Sequence, residues 1–329
     1  DYDLRLKVDD IEKTIHLALA DKFPFIAAIG SAKGATNKLY QWNAIRNDAG
    51  AITAVKDGVR VTDNDLTFAQ PLTMAGYAQE IREAWGIGRQ AGANTTHTSH
   101  NTPAWQKKAA LERLTRKQSK LLLSAQEQVV GTANAAYKTR GIFSVLDPVS
   151  GSIQTGLAPQ KYDPSLRVRD AAYFGGVITD LTAAKFEEML DAAAEYLGDS
   201  LNLVGFCGLS LHKRMSQWTN YDQKASGQYT VSTRKSGEKI DVDLAVDVFK
   251  FNSGTVRVVN EYNLLCDLAT GKTTAASTNA GVFIDPQDFL VRQFQPLTHT
   301  DLKDEGQGKS GFYSWDGGLE ARLPSKSLV

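Results

Sequence analysis

The chain has 329 residues, enough for one elaborate domain or two simpler ones, and its 37 Lys+Arg balance 37 Asp+Glu. A formal net charge of zero argues against a dedicated nucleic-acid binder, which carries a clear basic excess, while leaving room for one basic face on a neutral body. No apolar run approaches the ~20 residues of a membrane span, and the two cysteines, Cys207 and Cys266, read as small buried hydrophobes of a chain made in a reducing compartment.

The chain opens at Asp1 without an initiator Met and without a signal-peptide pattern, which leaves either a trimmed or processed start or a matter of numbering alone. Val8, Ile11, Ile15 and Leu19 make a short amphipathic patch of two to three helical turns. Asp21–Ile26 reads as extended, because the residue before Pro24 is pushed out of the helical region. Gly30–Gly34 is a loop, and Leu39-Tyr40-Gln41-Trp42 is a strand. From Asn43 to Asp65 the sequence is polar and punctuated by Gly and Asp, with β-prone pieces at Ile52–Val55 and Val59–Val61. It reads as a long exposed hairpin, of a size that usually has a function. Strand-like segments follow at Leu66–Phe68 and Leu72–Tyr77, then a Gly/Thr/Asn/His linker over 92–102.

The dominant element is a predicted helix over 103–130. Thr102 serves as N-cap and Pro103 fits the first helical position. Leu111, Leu114, Leu121, Leu122, Ala125 and Val129 recur at helical spacing, and Gly131 offers a stop, which gives a length of about 40 Å. Its other faces carry Lys107, Lys108, Arg113, Arg116, Lys117 and Lys120. This basic face has two open readings, simple solvation or contact with an anionic partner such as packaged nucleic acid.

Gly141–Leu146 is apolar, and 147–165 is a Gly/Pro/Ser-rich loop. Thr182 then caps a helix with Phe186, Met189, Leu190, Ala193 and Leu197 on one face, ended by Gly198. Leu201–Phe206 reads as a buried strand. Ile240, Val242, Leu244, Val246 and Val248 alternate with Asp241, Asp243 and Asp247, and Asn252-Ser253-Gly254 turns the chain into Thr255–Val259. Apolar pieces at Val282–Pro286 and Phe289–Phe294 precede polar, Gly-rich sequence to Val329. The fold class is mixed α+β with irregular connections rather than a regular βαβ alternation.

Each motif that suggests chemistry fails a test of spacing. Gly30–Thr36 has the flavour of a phosphate loop, but Ala35 and Thr36 stand where Gly-Lys is required. His97 and His100 have a metal-compatible spacing, yet no Cys or carboxylate accompanies them in a surface linker. Gly208-Leu209-Ser210-Leu211-His212 lacks the glycine that a nucleophile elbow needs after its serine, and reads as a helix start. Asp241, Asp243 and Asp247 lack a calcium loop's glycine turn and bidentate acid, and read as the wet face of a sheet. The expectation is no catalytic, cofactor-binding or metal-binding residue, and no cofactor. An arm, a long hairpin, a long helix and a strand-bearing tail suit a subunit that grips its neighbours.

In order and spacing, several stretches resemble the tailed-bacteriophage major capsid proteins, whose fold also forms the floor of herpesvirus capsids. They are similar in particular to a group of phage head proteins known only as a domain of unknown function. The stretches are Phe23–Gly30 followed by Gln41-Trp42; Leu111-Glu112-Arg113-Leu114 and Leu121–Ser124; Thr139–Phe143; Phe283–Pro286 with Phe289–Gln293; and Leu297–Leu302. The resemblance implies an N-terminal arm (1–37), an extended loop with flanking strands (38–72), a peripheral domain (73–139) with spine helix 103–130, an axial domain (140–281) and a C-terminal return to the peripheral domain (282–329). It implies self-assembly into hexamers and pentamers of an icosahedral head around double-stranded DNA. Portal, scaffolding and in some cases cement proteins would be partners, there would be no enzymatic residues, and synthesis would be in the bacterial host cytoplasm. Trp218–Glu238 would be a surface loop of the axial domain, and the start at Asp1 raises proteolytic processing of the arm. Lys56 lies in the extended loop, but nothing around it marks an isopeptide crosslink. Alternatives are another virion component (cement, baseplate or tail protein) or a hydrolase built on His212 or the aspartates of 241–247.

Overall fold

The computed structural model describes residues 23–32, 34–44, 72–88, 102–146, 181–197, 200–222, 248–303, 308–322 and 327–328. In chain order these form α1 (Pro24–Ala28), β1 (Gly30–Ser31), β2 (Leu39–Ala44), β3 (Leu72–Tyr77), β4 (Gln79–Gly88), α2 (Pro103–Leu122), α3 (Ile142–Leu146) and α4 (Ala183–Leu197). There follow β5 (Leu201–Cys207), α5 (Leu209–Asp222), β6 (Val248–Phe251), β7 (Gly254–Asn260), α6 (Ala275–Asn279), β8 (Gly281–Ile284), β9 (Phe289–Asp301) and β10 (Gly308–Ala321).

The strands make two four-stranded sheets, ordered β1-β9-β10-β4 and β6-β7-β5-β8, and a two-stranded ribbon of β2 and β3. The second sheet arises from apolar residues. β5 is buried along most of its length, pairs parallel with β7 and antiparallel with β8, and β6 folds back on β7 as the Asn252-Ser253-Gly254 turn predicts. Gly205 leaves room for the Phe283 ring, which a Cβ would strike. Phe186 of α4 reaches this ring at 4.9 Å and also meets Phe251 and Trp218, while Phe25 of α1 meets Phe206 edge-on at 5.2 Å. The N-cap at Thr182 is formed, its hydroxyl accepting from Lys185 N at 3.3 Å.

The first sheet is polar by comparison. β9 and β10 pair antiparallel over their length, with bulges near Asp316, and β4 continues the sheet on the other side of β10. Tyr40 and Trp42 of β2 donate to the carbonyls of Leu319 and Ala321, fixing the ribbon to the end of β10. The acids of β10 are buried and paired, mostly with residues distant in sequence. Glu320, 1 % exposed, accepts from Arg292 Nε at 2.6 Å and Arg322 Nε at 3.0 Å, and Asp316 lies 3.3 Å from Lys38 Nζ.

Several expectations are corrected. The helix expected over 103–130 is α2 and stops at Leu122. Ser124 ends it: its backbone N–H and its hydroxyl both donate to the Leu121 carbonyl, and Gln126 N donates to its Oγ. Leu265 N donates to the Leu123 carbonyl, so this helix end is satisfied by another part of the chain. Residues 129–138 then turn back through bridges Val129↔Lys138 and Thr132↔Ala135, with Ala125 and Val129 exposed instead of buried. The Phe23–Ile26 stretch is not extended. Phe23, at φ −135° and ψ 66°, stays outside the helical region as a residue before proline must, while Pro24 takes the first helical position of α1, where its missing N–H costs nothing. Gly30–Ser31 is not loop but a strand, parallel to β9. The tail after Phe294 is ordered as most of β9 and all of β10. Trp218 is a buried residue of α5, so no surface loop begins there. β8 joins the sheet of β5, so the chain crosses between the sheets after Ile284 rather than before Val282. The segments 1–22, 45–71, 147–180 and 223–247, with the amphipathic patch, the hairpin tip and Asp241, Asp243 and Asp247, lie outside the described residues, as do Lys56, His97 and His100.

Candidate functional site: the face of the long sheet beneath helix α2

Two cross-strand rows build this face. Glu83 of β4 stands opposite Tyr313 of β10, which stands opposite His299 of β9; the next row is Trp85, Gly311 and Asp301. Residues two apart on a strand share a face, so both rows lie on the side that α2 crosses. The glycine in the middle is required by proximity. A Cβ on Gly311 would stand 2.8 Å from Trp85 Nε1 and 2.7 Å from the Thr300 carbonyl. Without it, the Trp85 indole reaches across β10 and donates to His299 Nε2 at 3.0 Å. The two rings lie nearly parallel, with centroids 5.9 Å apart and planes at 20°.

An indole N–H can only donate, so Nε2 is the acceptor and the imidazole is neutral, with its proton on Nδ1. Burial, then the Lys107 charge, hold His299 below the ordinary 6.5, against Asp301, which raises it. Lys107 Nζ sits 4.8 Å from the Trp85 ring centroid and 3.2 Å from Asp301 Oδ1, and the same oxygen lies 3.4 Å from His299 Nε2. Tyr313 closes the cluster, its ring 4.7 Å from His299.

Much of the basic face of α2 is matched within the chain. Arg113 Nε and Lys117 Nζ grip Glu83 at 2.6 and 2.5 Å, and Lys117 also donates to the Arg82 carbonyl. Burial pulls the Glu83 carboxyl upward, but the hydrogen bonds and charges of Lys117 and Arg113 outweigh it and hold the group below its ordinary 4.5. Arg116 pairs with Glu112 one turn back at 3.4 Å, and Lys120 donates to the Gly271 carbonyl. Lys108 is exposed. The helix thus presents Arg116 and Lys108 outward while Lys107, Arg113 and Lys117 hold the sheet.

Of the other candidates, Ser210 and His212 fall on α5. His212 is buried at the start of α5, as the helix-start reading expects, and its Nδ1 is 2.6 Å from Asn260 Oδ1. Ser210 is exposed, and no group of three or more His, Cys, Asp or Glu able to hold a metal occurs among the described residues. Both cysteines are buried and free, and burial pushes the Cys207 thiol far up. Sequence reasoning missed Trp85, His299, Gly311 and the buried Glu261. Glu261 accepts from Asn263 N, Asn263 Nδ2 and Phe25 N, and burial raises its pKa despite these bonds. The signal that could have found the cluster is the pair of polar–aromatic alternations, Ile81-Arg82-Glu83-Ala84-Trp85 and Leu297–Asp301.

The β2–β3 ribbon brings together the two ends of the segment it frames. Leu39 stands opposite Tyr77 and Ala44 opposite Leu72, so the intervening chain leaves and returns at one place on the molecule.

Against known proteins, the model of the SU10 major capsid protein family matches residues 1–329. No curated protein matches. Among solved structures, the capsid of a native GTA particle aligns with a TM-score of 0.52 at 11 % identity, over 91 % of this chain and 86 % of that one. The mature capsid of bacteriophage PhiM1 aligns with a TM-score of 0.51 at 10 % identity, over 92 % of this chain and 85 % of that one. At such low identity the likeness is one of fold: the mixed helix and sheet architecture is that of phage capsids. The whole-chain family match carries the rest, so the chain belongs to the SU10 major capsid protein family, as a structural, non-enzymatic protein of the tailed-phage capsid shell.

Proposed function

We propose that copies of this chain form hexamers and pentamers of an icosahedral head enclosing double-stranded DNA, with portal and scaffolding proteins as partners and assembly in the bacterial host cytoplasm. Residues 1–37 serve as the arm and 38–72 as the extended loop. Residues 73–139 and the tail from 285 form the peripheral domain around α2, and the chain from 140 through β8 forms the axial domain. The observation that carries this reading is the β2–β3 ribbon, anchored to β10 through Tyr40 and Trp42 with Ala44 opposite Leu72. Such a ribbon holds the two ends of the 45–71 segment side by side, which is what a loop reaching over a neighbour needs. Leu209 and Tyr262, 58 % and 64 % exposed, follow the adjacent C-terminal ends of parallel strands β5 and β7, and serve as apolar contacts between axial domains.

Deleting residues 45–64 tests the loop. The account expects a soluble, folded chain that forms no stable shell by sedimentation and electron microscopy; shells of wild-type size and yield would overturn it.

A further inference from the structure

We propose that Trp85, His299, Lys107 and Asp301 form a proton-operated clamp between helix α2 and the β9–β10–β4 sheet. The capsid reading does not call for it; the geometry does. One nitrogen and one oxygen each face two suitors. His299 Nε2 accepts the Trp85 indole N–H at 3.0 Å and lies 3.4 Å from Asp301 Oδ1, and that same oxygen holds Lys107 Nζ at 3.2 Å. Lys107 in turn rests over the Trp85 ring.

Adding a proton to Nε2 turns the acceptor into a donor. Two donors then face each other at the Trp85–His299 contact, which cannot persist. The new Nε2–H turns to Asp301 Oδ1, the only acceptor among these groups already within a small movement of it. There it competes with Lys107 for one oxygen and adds a positive charge beside the ammonium. Lys107 loses both its carboxylate and its place over an indole that has itself been released. Because Lys107 lies in the second turn of α2, the consequence is a loosened N-terminal half of the helix. The C-terminal half stays held by Arg113 and Lys117 on Glu83.

The charges around the ring fix the direction of its response. From α2 it meets Lys107, from its own strand Asp301, from β10 the Tyr313 phenol and, farther off, exposed Lys309, and from β4 Glu83, already gripped by two cations. Burial and Lys107 disfavour the imidazolium, so the clamp opens below the pH at which a free histidine titrates. The folded state then binds the proton less readily than the unfolded chain. The stability contributed is complete above pH 6.5 and is lost as pH falls through the lower folded value.

The test is a reversible titration of the full-length chain from pH 8 to 4.5, followed by tryptophan fluorescence. A protonated imidazole quenches a neighbouring indole, and subtracting the Trp85→Phe trace isolates Trp85 from the other tryptophans. The clamp predicts a transition with its midpoint below 6.5 and unchanged far-UV circular dichroism, absent from His299→Asn. Lys107→Ala should raise the midpoint and Asp301→Asn lower it, each by about half a pH unit. These two variants keep the histidine and leave the proposal testable if His299→Asn does not fold. Amides of 106–110 should exchange about fivefold faster in the wild type than in His299→Asn at the same acidic pH. A transition that persists in His299→Asn, no transition in the wild type, midpoints that ignore Lys107 and Asp301, or equal exchange in the two chains would each overturn the clamp.

Discussion

In the β6–β7–β5–β8 sheet, Phe186 of α4 lies among Phe283, Phe251 and Trp218, and the covering helices dock through apolar area. In the β1–β9–β10–β4 sheet, α2 docks through Lys107 on Asp301 and Trp85, and through Arg113 and Lys117 on Glu83, beside an apolar seam of Leu111, Leu114, Leu121 and Leu122. Apolar burial has no direction and little dependence on pH or salt, so it fixes a body that stays as it is. Ion pairs and an indole–imidazole bond are directional and respond to both. The two sheets therefore differ less in how strongly they are held than in what can release them.

Phe186→Ala gives the largest expected effect. Deleting a fully buried ring from that aromatic cluster should cost about 3–5 kcal/mol and lower the urea midpoint in proportion. A loss below 1 kcal/mol would mean the cluster is not the anchor of α4.

Gly311→Ala comes next. Its Cβ meets a carbonyl and the Trp85 nitrogen, so β10 or the indole must shift, at about 1–3 kcal/mol. Trp85 fluorescence should lose its pH response together with the stability. A fully stable variant with an intact response would show that the indole does not cross β10 there.

Glu83→Gln should cost only about 0.5–1 kcal/mol at neutral pH, since Arg113 and Lys117 are each half exposed and screened by solvent. Because the fold holds the Glu83 carboxyl below its ordinary 4.5, its contribution is present above that value and fades as pH falls through the lowered one. The difference between variant and wild type should shrink at acid pH and in high salt; a difference constant with pH would contradict the pairing.

Lys108→Glu with Arg116→Glu should cost about 1 kcal/mol or less: both face outward, but the exposed pair with Glu112 is lost and like charges then flank that residue at one-turn spacing. If this face contacts packaged DNA, the double variant should assemble normally and retain less DNA. Lys117 is the wrong residue for that test, because a glutamate there would confront Glu83.

The second sheet was legible because its signals are local. β5 is a compact apolar run, Asn252-Ser253-Gly254 is a turn, and Thr182 followed by Phe186, Met189 and Leu190 declares a capped helix. β10 was not legible because what buries it lies far away in sequence. Asp316, Glu320 and the Gly317-Gly318 pair read as surface, yet Lys38, Arg292 and the β2 ribbon cover them. The end of α2 misled for a different reason. Ala125 and Val129 continue the helical period, but Ser124 and the arriving Leu265 amide take over the terminal carbonyls. Of the candidate site, the basic residues of α2 were visible and their acidic partners were not, since Glu83 and Asp301 acquire meaning only when strands β4 and β9 are placed beneath the helix.

The most direct test of the account is sedimentation with electron microscopy of the full chain, purified alone and together with the virion proteins encoded beside it. The account predicts closed shells, or rings of five and six copies. A chain that remains a folded monomer under every condition would contradict it.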